Sequence, residues 1–253
     1  YYLTGFAEPH ALLVLRRRQG QLETILFCRP RDKQQELWQG RRLGVINAPV
    51  VLHLDRAQPI SEMDAQMPAL LDGASSVHIS FLHHDLQQQL QGWLIQLRNQ
   101  VRTGAECPTL IMDLDAVLHE ARLFKSAAEV QQMQTAADLS VRAHKRAMQA
   151  CNAGLMEYQL AAEITHEFAM GGSVRTAYSS IVAGGKNGCI LHYTANNCAL
   201  SDGDLVLIDA GCELDYYAAD ITRTFPVNGR FSESQRAIYQ LVLDAHQASL
   251  AQA

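Results

Sequence analysis

What these 253 residues lack narrows the field first. No apolar run reaches the roughly 20 residues that a membrane-spanning helix needs, so no membrane partner is expected. There is no surplus of Lys and Arg. The formal net charge is −5 and the isoelectric point about 6.0, whereas general nucleic-acid binders carry a basic face, so no nucleic-acid partner is expected. The six cysteines include no C-x-x-C pair and no Asn-x-Ser/Thr acceptor is present. Together these favour reduced, mostly buried thiols and a cytoplasmic location over a disulfide framework. Familiar catalytic signatures also fail. His166-Glu167 opens an H-E-x-x-H pattern, but the closing position is Met170. The glycine-rich Ala183–Gly188 matches neither a P-loop nor a dinucleotide fingerprint and reads as a turn. What is present is 48% hydrophobic and 19% charged, enough to build a core. The chain opens at Tyr1 and closes at Ala253 inside an unfinished helical pattern. The expectation is a piece of a longer protein.

Organisation follows from periodicity. Ala11–Leu15 and Glu23–Cys28 read as strands joined by a turn at Arg16–Gly20, and Ser76–Phe81 as a further strand. Leu86, Leu90, Trp93, Leu94, Leu97 and Val101 recur at helical spacing. This predicts a small α/β domain over residues 1–107 and a second domain over 108–253. In the second, Ser126 and Glu129 form a capping box opening a helix that runs to about Cys151. Another helix spans about Met156 to Met170 and stops at Gly171-Gly172. Strands are predicted at Ser179–Ala183, Leu191–Tyr193 and within Asp204–Val227. Ser232 with Gln235 opens a last helix, with Ile238, Leu241, Val242 and Ala245 on one face.

The charge has an address. Asp202, Asp204, Asp209, Glu213, Asp215 and Asp220 fall close together with no Lys or Arg among them. They interleave with Leu205-Val206-Leu207-Ile208, an apolar run expected to be a strand covered on both faces. With Leu214-Asp215 as the turn, Asp209 faces Asp220 across an antiparallel pair. Like charges there repel unless they share a proton, pair with an Arg or hold a cation. Arg223 falls on the opposite face from Asp220, whereas Thr222 shares its face and could orient a carboxylate. Hard oxygen donors suit Mg, Ca or Mn; the alternative is a solvated turn with chance acids. His192, in an otherwise apolar segment, taken alone reads more often as a core histidine than as a catalytic one.

The wording of these segments is specific. Gly203–Cys212, Ala219–Pro226, Asn187–Tyr193, His119–Ser126, Tyr2–Phe6 and Trp38–Arg42 together resemble the Xaa-Pro aminopeptidases (aminopeptidase P) of the M24 pita-bread metallopeptidases, bacterial type. The resemblance implies an α/β (α+β) chain with a creatinase-like N-terminal domain followed by the first half of a pita-bread catalytic domain. It implies a metal-dependent aminopeptidase that removes the residue before a proline by hydroxide attack at a dinuclear site, usually two manganese ions. It makes Asp209 and Asp220 metal ligands, His192 catalytic and substrate-binding, and Tyr178 substrate-binding. The other His and two Glu ligands are expected beyond residue 253, so the isolated chain is expected to be inactive. A peptide with an Xaa-Pro N-terminus is the implied partner, and a homo-oligomer the implied assembly. Ala219 departs from the Gly that often precedes the second Asp. The near alternative is prolidase, and the far one a metal-free pita-bread binding protein.

Overall fold

A computed structural model describes residues 1–252. Two compact units divide the chain, the first running Tyr1–Phe124 and the second beginning at Lys125.

The first unit starts with a hairpin of β1 (Leu12–Arg18) and β2 (Gln21–Cys28). Gln19 and Gly20 turn it with φ of 50° and 84°, the left-handed region that matches the twist of a two-residue hairpin. After α1 (Lys33–Gln39) and α2 (Gly44–Leu52), β3 (Arg56–Pro59) adds parallel to β2. Then come α3 (Met63–Leu71), β4 (Ser76–Ile79), α4 (His84–Arg98), β5 (Leu110–Asp113) and α5 (Leu114–Leu123). The helical spacing read in the sequence is the buried face of α4: Leu90, Trp93, Leu94 and Leu97 pack with Ile25 and Phe27 of β2. The Trp93 indole N–H finds Asp64 at 2.8 Å, so the ring is buried without an orphan donor. Val101 lies beyond the end of the helix and is half exposed. The first unit runs past the expected boundary after Cys107 to Phe124, because β5 pairs in parallel with β4.

The second unit is built on three helices and two small three-stranded sheets. Ser126 and Glu129 do form the capping box that starts α6 (Ala127–Ala150). α7 (Glu157–Met170) packs on it. After β6 (Arg175–Thr176) and β7 (Ile181–Gly184), the chain makes β8 (Leu205–Ala210), β9 (Cys212–Leu214), β10 (Tyr217–Ala218) and β11 (Ile221–Pro226). One sheet has the order β11-β8-β7 and the other β10-β9-β6. α8 (Glu233–Leu250) opens on the Ser232/Gln235 capping box. β8 is covered unequally, unlike the two-sided strand expected. Val206, Ile208 and Ala210 are fully buried against Ala136, Leu139, Leu160 and Phe168, while Leu205, Leu207 and Asp209 line a half-buried face. Each fully buried large aliphatic or aromatic side chain there contributes about 1.5–3 kcal/mol. The alternation leaves Asp209 on the only face of β8 where a charge can reach solvent.

Candidate metal centre

The hairpin register differs from the expected one by two residues. The turn falls at Asp215-Tyr216, both with positive φ (48° and 68°), so Tyr217 pairs with Leu214. Asp209 therefore faces Thr222, not Asp220. The reason is local: Asp tolerates the left-handed region and starts the two-residue turn there. The side-chain period of two keeps Asp220 on the same face as Thr222, which makes it the diagonal neighbour of Asp209. The two carboxylates still converge, through a diagonal and not a direct pair.

Gly211 makes this approach possible. A Cβ on it would sit 1.7 Å from the Ala219 carbonyl oxygen and 3.1 Å from the Asp220 nitrogen. Only a residue without a side chain lets the strand carrying Asp209 pass so near the segment carrying Asp220. Behind them, Ser140 on α6 accepts the Cys212 N–H at 3.1 Å, and the His144 imidazole bonds the Ala210 carbonyl at 3.0 Å. Burial pushes the His144 pKa down, so this buried ring is held neutral.

Tyr178 joins the two acids. Its hydroxyl bonds Asp209 Oδ1 and lies 2.9 Å from Asp220 Oδ1. Burial and then these two carboxylates raise its pKa, so it stays a donor. A hydroxyl carries one proton, so it serves one carboxylate at a time and presents lone pairs to the other. Among the described residues no Lys, Arg or His forms an ion pair with Asp209 or Asp220. Arg223 pairs with Ile208 and gives its guanidinium to the Thr222 carbonyl at 2.7 Å. Pairing with an arginine, one of three ways to hold the acids together, is therefore not what this fold does. Two convergent, uncompensated carboxylates are a donor set that fits a hard divalent cation. They are two donors and no more: among the described residues no group of three or more His, Cys, Asp or Glu could hold a metal.

Thr222 stands across from Asp209, but its hydroxyl makes no hydrogen bond to either carboxylate among the described residues. His192 is neither in a strand nor in the core. Residues 191–192 form an exposed turn after a short 3-10 segment, Gly185–Cys189. Within the glycine-rich stretch a positive φ falls at Gly185 (52°). The next residue, Tyr193, is buried against Ile181, Ala183 and Leu207. Ile181 pairs with Asp209, and Leu207 precedes it on the same face, so the loop bearing His192 packs on the face that bears the acids.

Sequence reasoning missed Glu157. It is fully buried and accepts four hydrogen bonds, from the Gly184 N–H, the Asn187 amide, the Tyr193 hydroxyl and the Cys198 N–H, at 2.8–3.0 Å. Burial raises its pKa, but the four donors outweigh that and hold the carboxyl below its ordinary range. No motif marks such a residue, because its donors are backbone groups and side chains up to 41 positions away.

Comparison with known proteins agrees with this architecture. Residues 131–253 match the family model "Metallopeptidase family M24", and residues 1–79 match "Aminopeptidase P, N-terminal domain". The chain is 46% identical to Xaa-Pro aminopeptidase of Escherichia coli (strain K12) over 99% of its own length and 57% of that protein. Among solved structures, Pseudomonas aeruginosa aminopeptidase PepP superposes with a TM-score of 0.95 at 50% identity, covering 98% of this chain and 56% of that one. An Escherichia coli aminopeptidase P variant in complex with substrate superposes at 0.96 with 45% identity, covering 99% and 57%. The chain thus spans under three-fifths of the length of these relatives. A convergent acid pair, the aminopeptidase P N-terminal match and this likeness over nearly the whole chain lead to one assignment: residues 131–253 belong to metallopeptidase family M24, preceded by an aminopeptidase P N-terminal domain.

Proposed function

We propose that the protein is a metal-dependent Xaa-Pro aminopeptidase and that this chain supplies Asp209 and Asp220 to its metal centre. The observation that carries the reading is the convergence of these two carboxylates on one hydroxyl with no basic partner. Two divalent ions, manganese by resemblance, would be held by them together with a His and two Glu later in chain order. When bound, such ions polarise a carbonyl and make water a competent nucleophile at neutral pH.

The chain's own residues do the rest. Asp209, half buried, and Asp220, exposed, present oxygens to the same space. Tyr178 fixes their orientation and lies where a substrate amine or carbonyl would contact it. Thr222 lines the same face beside Asp209. His192, on its exposed turn, is free to donate to the substrate carbonyl as negative charge develops there, a stabilisation worth several kcal/mol in comparable sites. A proline after the cut bond makes the amide tertiary, with no N–H to recognise, so a site working on the carbonyl side suits it.

The resemblance supports a homo-oligomer, and the free, exposed thiols of Cys189 and Cys198 fit a reducing cytoplasm. No helix among the described residues is long and apolar enough to cross a membrane. Cleavage assays on the full-length protein test the reading. With manganese present, a tripeptide or longer Xaa-Pro substrate loses its first residue; cleavage of the dipeptide Gly-Pro alone makes it a prolidase, and cleavage of neither refutes the enzyme.

A further inference from the structure

We propose that Glu157 is the positioning residue for His192, setting the loop that presents the imidazole to the substrate. This rests on the reading that His192 acts on substrate. The loop leaves β7 at Gly184 and returns at Cys198, with His192 near its exposed tip. One carboxylate grips it at four places. Oε1 takes the Gly184 N–H at 2.8 Å and the Asn187 amide at 3.0 Å, while Oε2 takes the Tyr193 hydroxyl at 2.8 Å and the Cys198 N–H at 2.9 Å. The Glu157 N–H in turn reaches the Cys198 carbonyl at 2.9 Å, and Leu200 N–H reaches Leu155 O at 2.8 Å, so the returning segment is zipped to the start of α7. The Tyr193 hydroxyl is held as a donor, its pKa pushed up to about 12 by burial and by Glu157. Its ring packs beside the residues that flank Asp209. His192 makes no side-chain hydrogen bond of its own among the described residues, so its place is set through Tyr193.

The charge is the informative part. A buried carboxylate with no cation is costly unless every lone pair is used. Here four donors and the N-terminus of α7 compensate it. Gln could not substitute: its best orientation keeps the Gly184 and Asn187 bonds and lets Tyr193 reverse, but it points an amide N–H at the Cys198 N–H. The end of the loop must then move, and His192 with it.

The test is a double-mutant cycle in the full-length enzyme. Glu157→Gln is expected to lower kcat/KM on a long Xaa-Pro peptide by about 10–100-fold, the scale of a misplacement near 1 Å. In a His192→Ala background the same change is expected to cost less than about two-fold, because the group being positioned is gone. Equal losses in both backgrounds, or no loss in the first, overturn the proposal. Hydrogen exchange provides a readout independent of activity: amides of 184–198 exchange faster in Glu157→Gln while those of α6 and β8 do not. Unchanged exchange overturns the proposal even if the protein cleaves no Xaa-Pro peptide, an outcome that sinks the enzymatic reading instead. If Glu157→Gln fails to fold, Tyr193→Phe removes one of the four donors and should show a smaller loss with the same dependence on His192; equal losses in both backgrounds would again overturn the proposal.

Discussion

Replacing Gly211 with alanine tests the geometry of the acid pair most severely for a single methyl group. The added Cβ lies 1.7 Å from the Ala219 oxygen and 2.5 Å from its carbonyl carbon. Carbon–oxygen contacts settle near about 3.3 Å, so the two segments must separate by about 1.5 Å. Two bonds sit at this point, Ala219 N–H to Cys212 O and Ala177 N–H to Gly211 O, both 2.9 Å. Losing them costs about 1 kcal/mol each, and overpacking adds about 1–3 kcal/mol. The expected destabilisation is about 3–5 kcal/mol, read as a fall in the urea midpoint of the full-length protein with an unchanged slope. Any folded fraction would hold Asp209 and Asp220 too far apart, and kcat/KM should fall about 100-fold. A midpoint and activity like those of the wild type would refute the close approach of the two segments.

Further outcomes follow from other parts of the chain. Gly92 lies inside α4, and a Cβ added to it would meet nothing within 4 Å. Gly92→Ala should therefore stabilise by about 0.5–1 kcal/mol in the same denaturation assay, the opposite sign from Gly211→Ala. Ser126→Ala removes the hydroxyl that accepts the Glu129 N–H and should cost about 1 kcal/mol, seen as earlier thermal unfolding. Glu157 has its carboxyl pKa held below the unfolded value. Its contribution is complete above the unfolded pKa, about 4.3, and is lost as pH falls through the folded one. Stability of the wild type should therefore drop more steeply below about pH 4.3 than that of Glu157→Gln, measured by denaturation at stepped pH.

The sequence made some of this legible and hid the rest for physical reasons. Capping boxes at Ser126 and Ser232 are local chemistry, readable within four residues, and both stand where expected. The buried stripe of α4 follows from its period. The acids of the hairpin are readable as a pair because charge beside an apolar strand needs a reason, but their register is not. It depends on whether Leu214-Asp215 or Asp215-Tyr216 takes the left-handed turn, and a Tyr with φ of 68° is not a turn that composition announces. The expectation of a strand at His192 fails because Cys189–Tyr193 is apolar, yet Leu191 points to solvent and only Tyr193 is buried. Short helices such as α1 and α2 escape notice, being too brief for a period to show. Glu157 could not be found at all, since its meaning lies in donors gathered by the fold.

Whether Asp209 and Asp220 hold metal is tested most directly by titrating the metal-free full-length protein with manganese and counting the ions bound, alongside the Asp220→Asn variant. Two ions per chain are expected for the wild type. The variant should lose tight binding while its far-ultraviolet circular dichroism stays unchanged. Two tightly bound ions in the variant as well would contradict the ligand role of Asp220 and with it the metal centre.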